Sequence, residues 1–303
     1  MSAIAVLPPM VVLEPFLHSW LLEDIGRGDR TTGSLLTGNV GFGRANWTAK
    51  QAGVMAGLPI AARVFQLLSD SQSHNSATQV SFAPIVAEGE LCVPGQTVAH
   101  LCGPLDALLM GERVALNLAM RLSGIATLTY QYVEKIADLP ARLVDTRKTT
   151  PGLRILEKYA SQVGGALNHR LGLDDAVMIK DNHIVAAGGI AQAIARIRAK
   201  IPYPLTIEVE TTTLTEVEAA LKHGADIIML DNMSLELMSE AVQLIRQTNH
   251  QVKIEASGNI TLETIRAVAE TGVDFISSSA PVTRSSWLDL SMNIDNSSIQ
   301  ELN

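Results

Sequence analysis

Only two cysteines occur in the chain, Cys92 and Cys102. That is too few for a disulfide framework, and neither stands at a Cys/His spacing that holds zinc. Two reduced cytosolic thiols are the expectation. Aromatic residues are also scarce, at 4%. The core must therefore be built from Ala, Val, Leu, Ile and Met, as in parallel sheets covered by helices. No apolar run is long enough to cross a bilayer. The N-terminal apolar stretches lack the basic start of a signal peptide and are interrupted by Pro8, Pro9 and Pro15. These absences predict a cytoplasmic protein with no membrane partner. Positive charge is in deficit too: 23 Lys and Arg against 31 Asp and Glu give a net charge of -8, which argues against a nucleic-acid partner. A G-x-G-x-x-G fingerprint is missing after the first strand, which lowers the case for a dinucleotide fold.

What remains is a 303-residue chain that is 47% hydrophobic and 18% charged, the composition of a globular protein with one large domain or two ordinary ones. The first hundred residues mix helices (14–25, 58–69) with strand-like runs (44–57, 79–86, 96–102) and imply a small α+β layer. Residues 104–138 read as one or two long helices. From there, β-rich apolar runs at 142–145, 176–180, 205–210, 226–231, 252–256 and 273–277 alternate with helical runs at 151–163, 189–200, 214–223, 234–247 and 261–270. Regular alternation of this kind means βα units and a parallel sheet. Six strands are clear, and 126–136 holds either a seventh or more helix. The expected fold is thus an incomplete α/β barrel of six to seven strands behind an N-terminal α/β (α+β) sandwich, with an open doubly wound sheet as the alternative.

Polar residues collect where each apolar run ends. In order they are Asp145-Thr146-Arg147-Lys148, Lys180-Asp181-Asn182-His183, Glu208-Val209-Glu210, Asp231-Asn232, Glu255-Ala256-Ser257-Gly258-Asn259 and Ser277-Ser278-Ser279-Ala280. Ligands of parallel α/β folds bind at these carboxyl ends. Ten of the 23 Lys and Arg lie between Arg113 and Lys180. Cations at Arg147, Lys148, Arg170 and Lys180, with His169 and with Arg113 on the preceding helix, would repel one another without an anion of more than one charge among them. Glu210 and Asp231 end successive strands. They suit either a shared Mg2+ bound together with a polyphosphate, or stabilisation of positive charge on a sugar ring; paired strand-end acids neutralised by lysine are the bland alternative. Ser257-Gly258-Asn259 and Ser278-Ser279-Ala280 can offer backbone N–H groups to a phosphate, although ordinary tight turns look similar.

Several of these segments resemble the quinolinate phosphoribosyltransferase family. The longest are Asp145-Thr-Arg-Lys-Thr-Thr-Pro-Gly-Leu-Arg154, Glu157-Lys-Tyr-Ala160, Asn168-His-Arg170 and Ile179-Lys-Asp-Asn-His183. Glu112-Arg-Val-Ala-Leu-Asn117, Leu122-Ser-Gly-Ile-Ala-Thr127, Ile207-Glu-Val-Glu210, Leu230-Asp-Asn232, Glu255-Ala-Ser-Gly258 and Gly272-Val-Asp274 extend the likeness from about residue 20 to 292. The resemblance implies a sandwich domain over 1–112, joined by 281–303, and a barrel over 113–280. It implies a homodimer or higher homo-oligomer in which Arg113 reaches the partner's site. Arg113, Arg147, His169 and Arg170 would hold quinolinate carboxylates. Lys148 and Lys180 would lie between acceptor and pyrophosphate, Glu210 and Asp231 would meet Mg2+ and the ribose, and Ser257, Gly258, Asn259, Ser278, Ser279 and Ala280 would take the 5′-phosphate. The family often has Val-Gly-Ala where Ser278-Ser279-Ala280 stands, and Pro281-Val-Thr-Arg284 also departs from its pattern.

The implied reaction is phosphoribosyl transfer from phosphoribosyl pyrophosphate (PRPP) to quinolinate with loss of CO2, a step of NAD biosynthesis. Three rivals are set against it: a transferase acting on another acid such as nicotinate, a Schiff-base aldolase-like barrel using Lys180, and a non-catalytic anion-binding protein on the same scaffold.

Overall fold

A computed structural model describes residues 5–36, 41–72 and 79–295. The tail from 296 to 303, part of the expected joining segment, lies outside the described residues. The described residues form two compact units, one from 129–154 and 165–284, the other from those between 5 and 128 with 155–164 and 285–295.

The second of these units opens with α1 (Met10–Ile25) and α2 (Arg30–Leu35). Helix α2 is short, and its start is set by the residue before it. It forms because the Asp29 carboxylate accepts hydrogen bonds from the amides of Thr31 and Thr32, capping an otherwise unsatisfied N-terminus. Next come β1 (Phe42–Ala49), β2 (Gly53–Val54), α3 (Leu58–Gln72), β3 (Ser81–Pro84), β4 (Leu91–Cys92), β5 (Thr97–Pro104) and the long α4 (Leu105–Glu134). The single strand expected over 44–57 is two pieces on two sheets: β1 joins an antiparallel sheet and β2 pairs with β4. Trp47, Phe65 and Phe82 concentrate the scarce aromatic area in one cluster, with ring centroids 5.3–6.2 Å apart. Helix α5 (Arg154–Val163) adds Glu157, fully buried, whose carboxylate accepts hydrogen bonds from Arg121 at 2.7 and 3.1 Å.

The other unit contains β6 (Arg142–Val144), β7 (Val177–Ile179), α6 (Asp181–Ala187), α7 (Ile190–Arg198), β8 (Ile207–Thr211), α8 (Leu214–Lys222), β9 (Ile227–Asp231), α9 (Leu235–Thr248), β10 (Lys253–Ser257), α10 (Ile265–Glu270), β11 (Phe275–Ser277) and α11 (Ala280–Thr283). The final strand, β12 (Leu290–Ile294), returns to the antiparallel sheet beside β1, in the order β12-β1-β5-β3. The six strands β6-β11-β10-β9-β8-β7 form one sheet, paired in parallel throughout. Residues 126–134 are helical, so the 126–136 segment supplies no seventh strand. Strands β6 and β7 stand at the two edges, and a parallel bridge between Val144 and Leu167 extends the β6 edge. The fold is the incomplete α/β barrel that the six apolar runs imply. Its carboxyl edge gathers every strand end named in the sequence.

Two local features shape that edge. Lys180 does not end in a loop: α6 starts at once, with the His183 ring accepting a hydrogen bond from the Lys180 amide at 2.9 Å. At the tips of β9 and β10, Asn232 and Asn259 both adopt left-handed backbone, with φ of 53° and 51°. Asparagine tolerates that region better than other side chains, and such residues concentrate at functional sites.

Candidate active site

A cavity of about 650 Å³ opens over the strand ends, lined wholly by residues of the barrel unit. Its basic wall is Arg147 and Lys148 after β6, Arg170 before β7 and Lys180 after β7; its acidic wall is Glu210 of β8 and Asp231 of β9; Ser257, Gly258 and Asn259 follow β10. Ten residues singled out in the sequence therefore share one hollow, with His169 the tenth. Two groups do not line it. Arg113 belongs to the other unit, on α4, with 62% of its side chain exposed and Glu112 at 4.0 Å. Ser278, Ser279 and Ala280 form the turn into α11, where the Ser278 amide donates to Val144 O and the Ala280 amide to Ser278 Oγ. Those two amides are already satisfied within the protein.

The two walls meet where β7 and β8 run side by side. Lys180 Nζ donates to Glu210 Oε2 at 2.8 Å. On the basic side, burial holds the Arg170 guanidinium below its ordinary pKa; Arg147 nearby pushes the same way and Glu208 opposes. Arg147 Nε is buried and has no hydrogen-bond acceptor. A guanidinium N–H left unsatisfied beside a second guanidinium is the arrangement a bound carboxylate or phosphate would relieve.

At the β9 and β10 tips a short chain of contacts fixes the acidic side. Asn232 Nδ2 donates to Asp231 Oδ2 at 2.8 Å, and Asn259 Nδ2 donates to Asn232 Oδ1 at 3.1 Å. Gly258, at φ +98°, lets this happen: a Cβ there would stand 2.2 Å from Asn232 Oδ1.

At the floor of the cavity lies a cluster whose members, His169, Glu208 and Glu255, the sequence names separately without bringing them together. His169 Nε2 sits 3.0 Å from Glu208 Oε2 and 3.5 Å from Glu255 Oε2. Its Nδ1 accepts the Arg170 amide N–H at 2.7 Å, and its own amide donates to Asp145 Oδ1 at 2.8 Å. Glu208 and Glu255 are 2% and 3% exposed, and each keeps one buried oxygen without a donor. Burial pushes the Glu255 carboxyl up to about 7; Glu208 and Asp145 also raise it, while His169 and a Ser277 hydrogen bond oppose. A signal for these acids existed. Glu208 lies two residues before Glu210, which on a strand means the same face, and Glu255 follows Ile254 inside an apolar run. Asn232 was visible only as a neighbour of Asp231.

The three ligand atoms of His169, Glu208 and Glu255 lie within 4.8 Å of one another, a spacing a cation can bridge. The imidazole argues against it. A nitrogen that accepts an amide N–H carries no proton, so the proton of the neutral ring must sit on Nε2, which then has no lone pair for a metal.

Residues 29–123 match the family profile described as quinolinate phosphoribosyl transferase, N-terminal domain, and residues 125–293 the one described as its C-terminal domain. The chain is 59% identical over 288 residues to a probable nicotinate-nucleotide pyrophosphorylase (carboxylating) of Synechocystis, covering 95% of this chain and 94% of that protein. It is 37% identical to the human nicotinate-nucleotide pyrophosphorylase (carboxylating), with 97% and 95% covered. Among solved structures it is similar to NadC from Streptococcus pyogenes, at 39% identity and a TM-score of 0.88, covering 98% of this chain and all of that one.

Proposed function

The chain belongs to the quinolinate phosphoribosyltransferase family, and from that membership and the charge order of the cavity we infer a decarboxylating phosphoribosyl transfer. The enzyme is a pentosyltransferase, a nicotinate-nucleotide diphosphorylase (carboxylating), which joins the ribose phosphate of PRPP to quinolinate in NAD biosynthesis. It releases pyrophosphate and CO2 and leaves nicotinate mononucleotide.

The observation that carries the reading is one hollow with Arg147, Arg170 and Lys180 on one side and Glu210 and Asp231 on the other. Quinolinate has two carboxylates flanking one corner of a pyridine ring. Arg147, with its unsatisfied Nε, and Arg170 suit them. Both ring nitrogens of His169 are occupied within the floor, which suits a supporting part rather than a direct contact. Lys148 and Lys180 border the cavity where a leaving pyrophosphate would develop charge. The 5′-phosphate is assigned to Ser257, Gly258 and Asn259, with the turn at Ser278, Ser279 and Ala280 beside it through Ser278 Oγ and Ile260 O.

Glu210 and Asp231 supply hard oxygen donors on adjacent strand ends, and Mg2+ is commonly held by one or two carboxylates together with substrate phosphates. The pair fits that ion, which when bound would neutralise the pyrophosphate. The chain's own residues do the rest. As the bond from the anomeric carbon to pyrophosphate breaks, Glu210 and Asp231 face the developing positive charge of the ribose. The arginines hold the pyridine nitrogen in line to form the new bond. The ring nitrogen is then cationic, so the adjacent carbon can part from its carboxylate, keep the electron pair and take a proton.

Arg113 is exposed and, among the described residues, pairs with an acid no closer than Glu112 at 4.0 Å. We assign it to the cavity of a second copy in a homodimer or higher homo-oligomer. The two cysteines are free, Cys92 with its thiol pushed up by burial, which suits a reducing, cytoplasmic setting. A Schiff-base role for Lys180 is disfavoured by its 2.8 Å pairing with Glu210.

Incubation with quinolinate, PRPP and Mg2+ tests the reading: nicotinate mononucleotide by mass and equimolar CO2 are expected. Product formed from nicotinate without CO2 would overturn the choice of acceptor. Arg170→Ala and Lys148→Ala are each expected to cut turnover at least a hundredfold, and near-normal kinetics in either would remove that residue from the site.

A further inference from the structure

The floor cluster holds more negative charge than the cavity's task suits. Glu208 on β8 and Glu255 on β10 converge on the His169 imidazole, which sits in the loop before β7, while Asp145 after β6 accepts the His169 backbone amide and adds its charge to the cluster. A dianionic acceptor is to bind directly above. Ser277 of β11 adds a hydroxyl, and β9 contributes Met229 opposite Glu255, which does not titrate.

The hydrogen bonds locate the neutralising proton. Arg170 N–H occupies His169 Nδ1, so that nitrogen must offer a lone pair and the ring cannot be imidazolium. The ring's single proton is then on Nε2 and points to the nearer carboxylate oxygen, Glu208 at 3.0 Å rather than Glu255 at 3.5 Å. Glu255 is the carboxyl left without a cation or a ring N–H of its own, almost wholly out of water, with one oxygen lacking any donor. An ionised carboxylate in that position is costly, and a protonated one is not.

We propose that Glu255 is a positioning residue that carries the cluster's proton as a neutral acid, leaving His169 neutral so that its Nδ1 anchors the Arg170 backbone under the acceptor. The proposal deepens the transferase reading and rests on it only for its kinetic consequences. Burial and the neighbouring Glu208 raise the Glu255 carboxyl, in the direction the geometry requires. Glu255 touches no reacting atom in this account. It acts through His169 and Arg170, and by sparing the floor one negative charge.

The tests separate the two layers. Nitrogen-15 NMR on histidine-labelled full-length protein, with the His169 signals identified by their loss in His169→Gln, needs no substrate. A protonated Nε2 and bare Nδ1 at pH 6 are expected; a protonated Nδ1 overturns the proposal whether or not the transferase reading holds. Infrared difference spectra of the wild-type protein should show a protonated carboxyl band that disappears as pH rises through about 7 and is missing from Glu255→Gln. In kinetics, kcat/KM for quinolinate should fall toward tenfold per pH unit above a midpoint of about 7, while the KM for PRPP holds. Glu255→Ala should lose at least tenfold at pH 6, and the neutral isostere Glu255→Gln should recover most of that and lack the alkaline fall. An inactive but folded Glu255→Gln, or one that keeps the fall, would show that the residue works as an anion and sink the proposal. Should the wild type make no nicotinate mononucleotide, the transferase reading fails and the spectroscopic result still decides the proton's place.

Discussion

A carboxyl held neutral inside the folded chain must leave a mark on stability. In the unfolded chain Glu255 releases its proton near 4.5, whereas burial holds the proton in the native state to about 7. Between those values the native chain binds one proton more than the unfolded one, so stability falls as pH rises through that window and is level above it. At about 1.4 kcal/mol per pH unit, the whole window is worth about 3 kcal/mol. Groups of opposite sense lie lower on the scale. Asp138, held at about 2 by Arg266, contributes stability that is lost only as pH falls below the ordinary carboxylate range. Groups remote from Glu255 are common to wild type and Glu255→Gln, so they cancel in the difference. Urea unfolding of both proteins at half-unit steps from pH 4.5 to 8 measures it. The variant should gain on the wild type steadily from pH 5 and lead by about 3 kcal/mol at pH 8. Parallel profiles across that range would refute the reasoning, because they would mean that Glu255 carries the same proton load folded and unfolded.

Two further perturbations follow from local geometry. Gly258→Ala puts a methyl 2.2 Å from Asn232 Oδ1 at φ +98°; a strain of roughly 1–3 kcal/mol and a raised KM for PRPP with quinolinate binding little changed are expected, to be read from thermal unfolding and steady-state kinetics. Arg121→Ala strips two N–H donors from the fully buried Glu157; a loss of about 3–5 kcal/mol in urea unfolding is expected, and a loss under 1 kcal/mol would show that the carboxylate finds another donor or a proton.

The strand ends were readable because a parallel βα unit concentrates its polarity there. Arg147, Lys180, Glu210, Asp231 and Gly258 each close an apolar run, and any fold that lays those runs side by side brings their tips together. The floor was hard to read for a related reason. Glu208, Glu255 and His169 lie 39 to 86 residues apart, and although each stands in a polar segment beside an apolar run, nothing in the sequence pairs them. Only the pairing order β10-β9-β8 brings the two glutamates to one ring nitrogen. Helix α6 was missed because Lys180-Asp181-Asn182-His183 reads as a polar exit loop, whereas the His183 ring meets the Lys180 amide and lets the helix start at once. The β1–β2 break was hidden by an alternation that continues across a turn into a second sheet.

Local pattern therefore determined the number of βα units, the sign of charge at each strand end and the family likeness, because periodicity and motif are properties of contiguous residues. The tertiary structure alone decided which nitrogen of His169 faces Glu208, which carboxyl is stripped of water, and that Asn232 shares its amide between Asp231 and Asn259. Those are set by distances between residues far apart in sequence and by exclusion of solvent, and neither quantity exists until the chain has closed around the site.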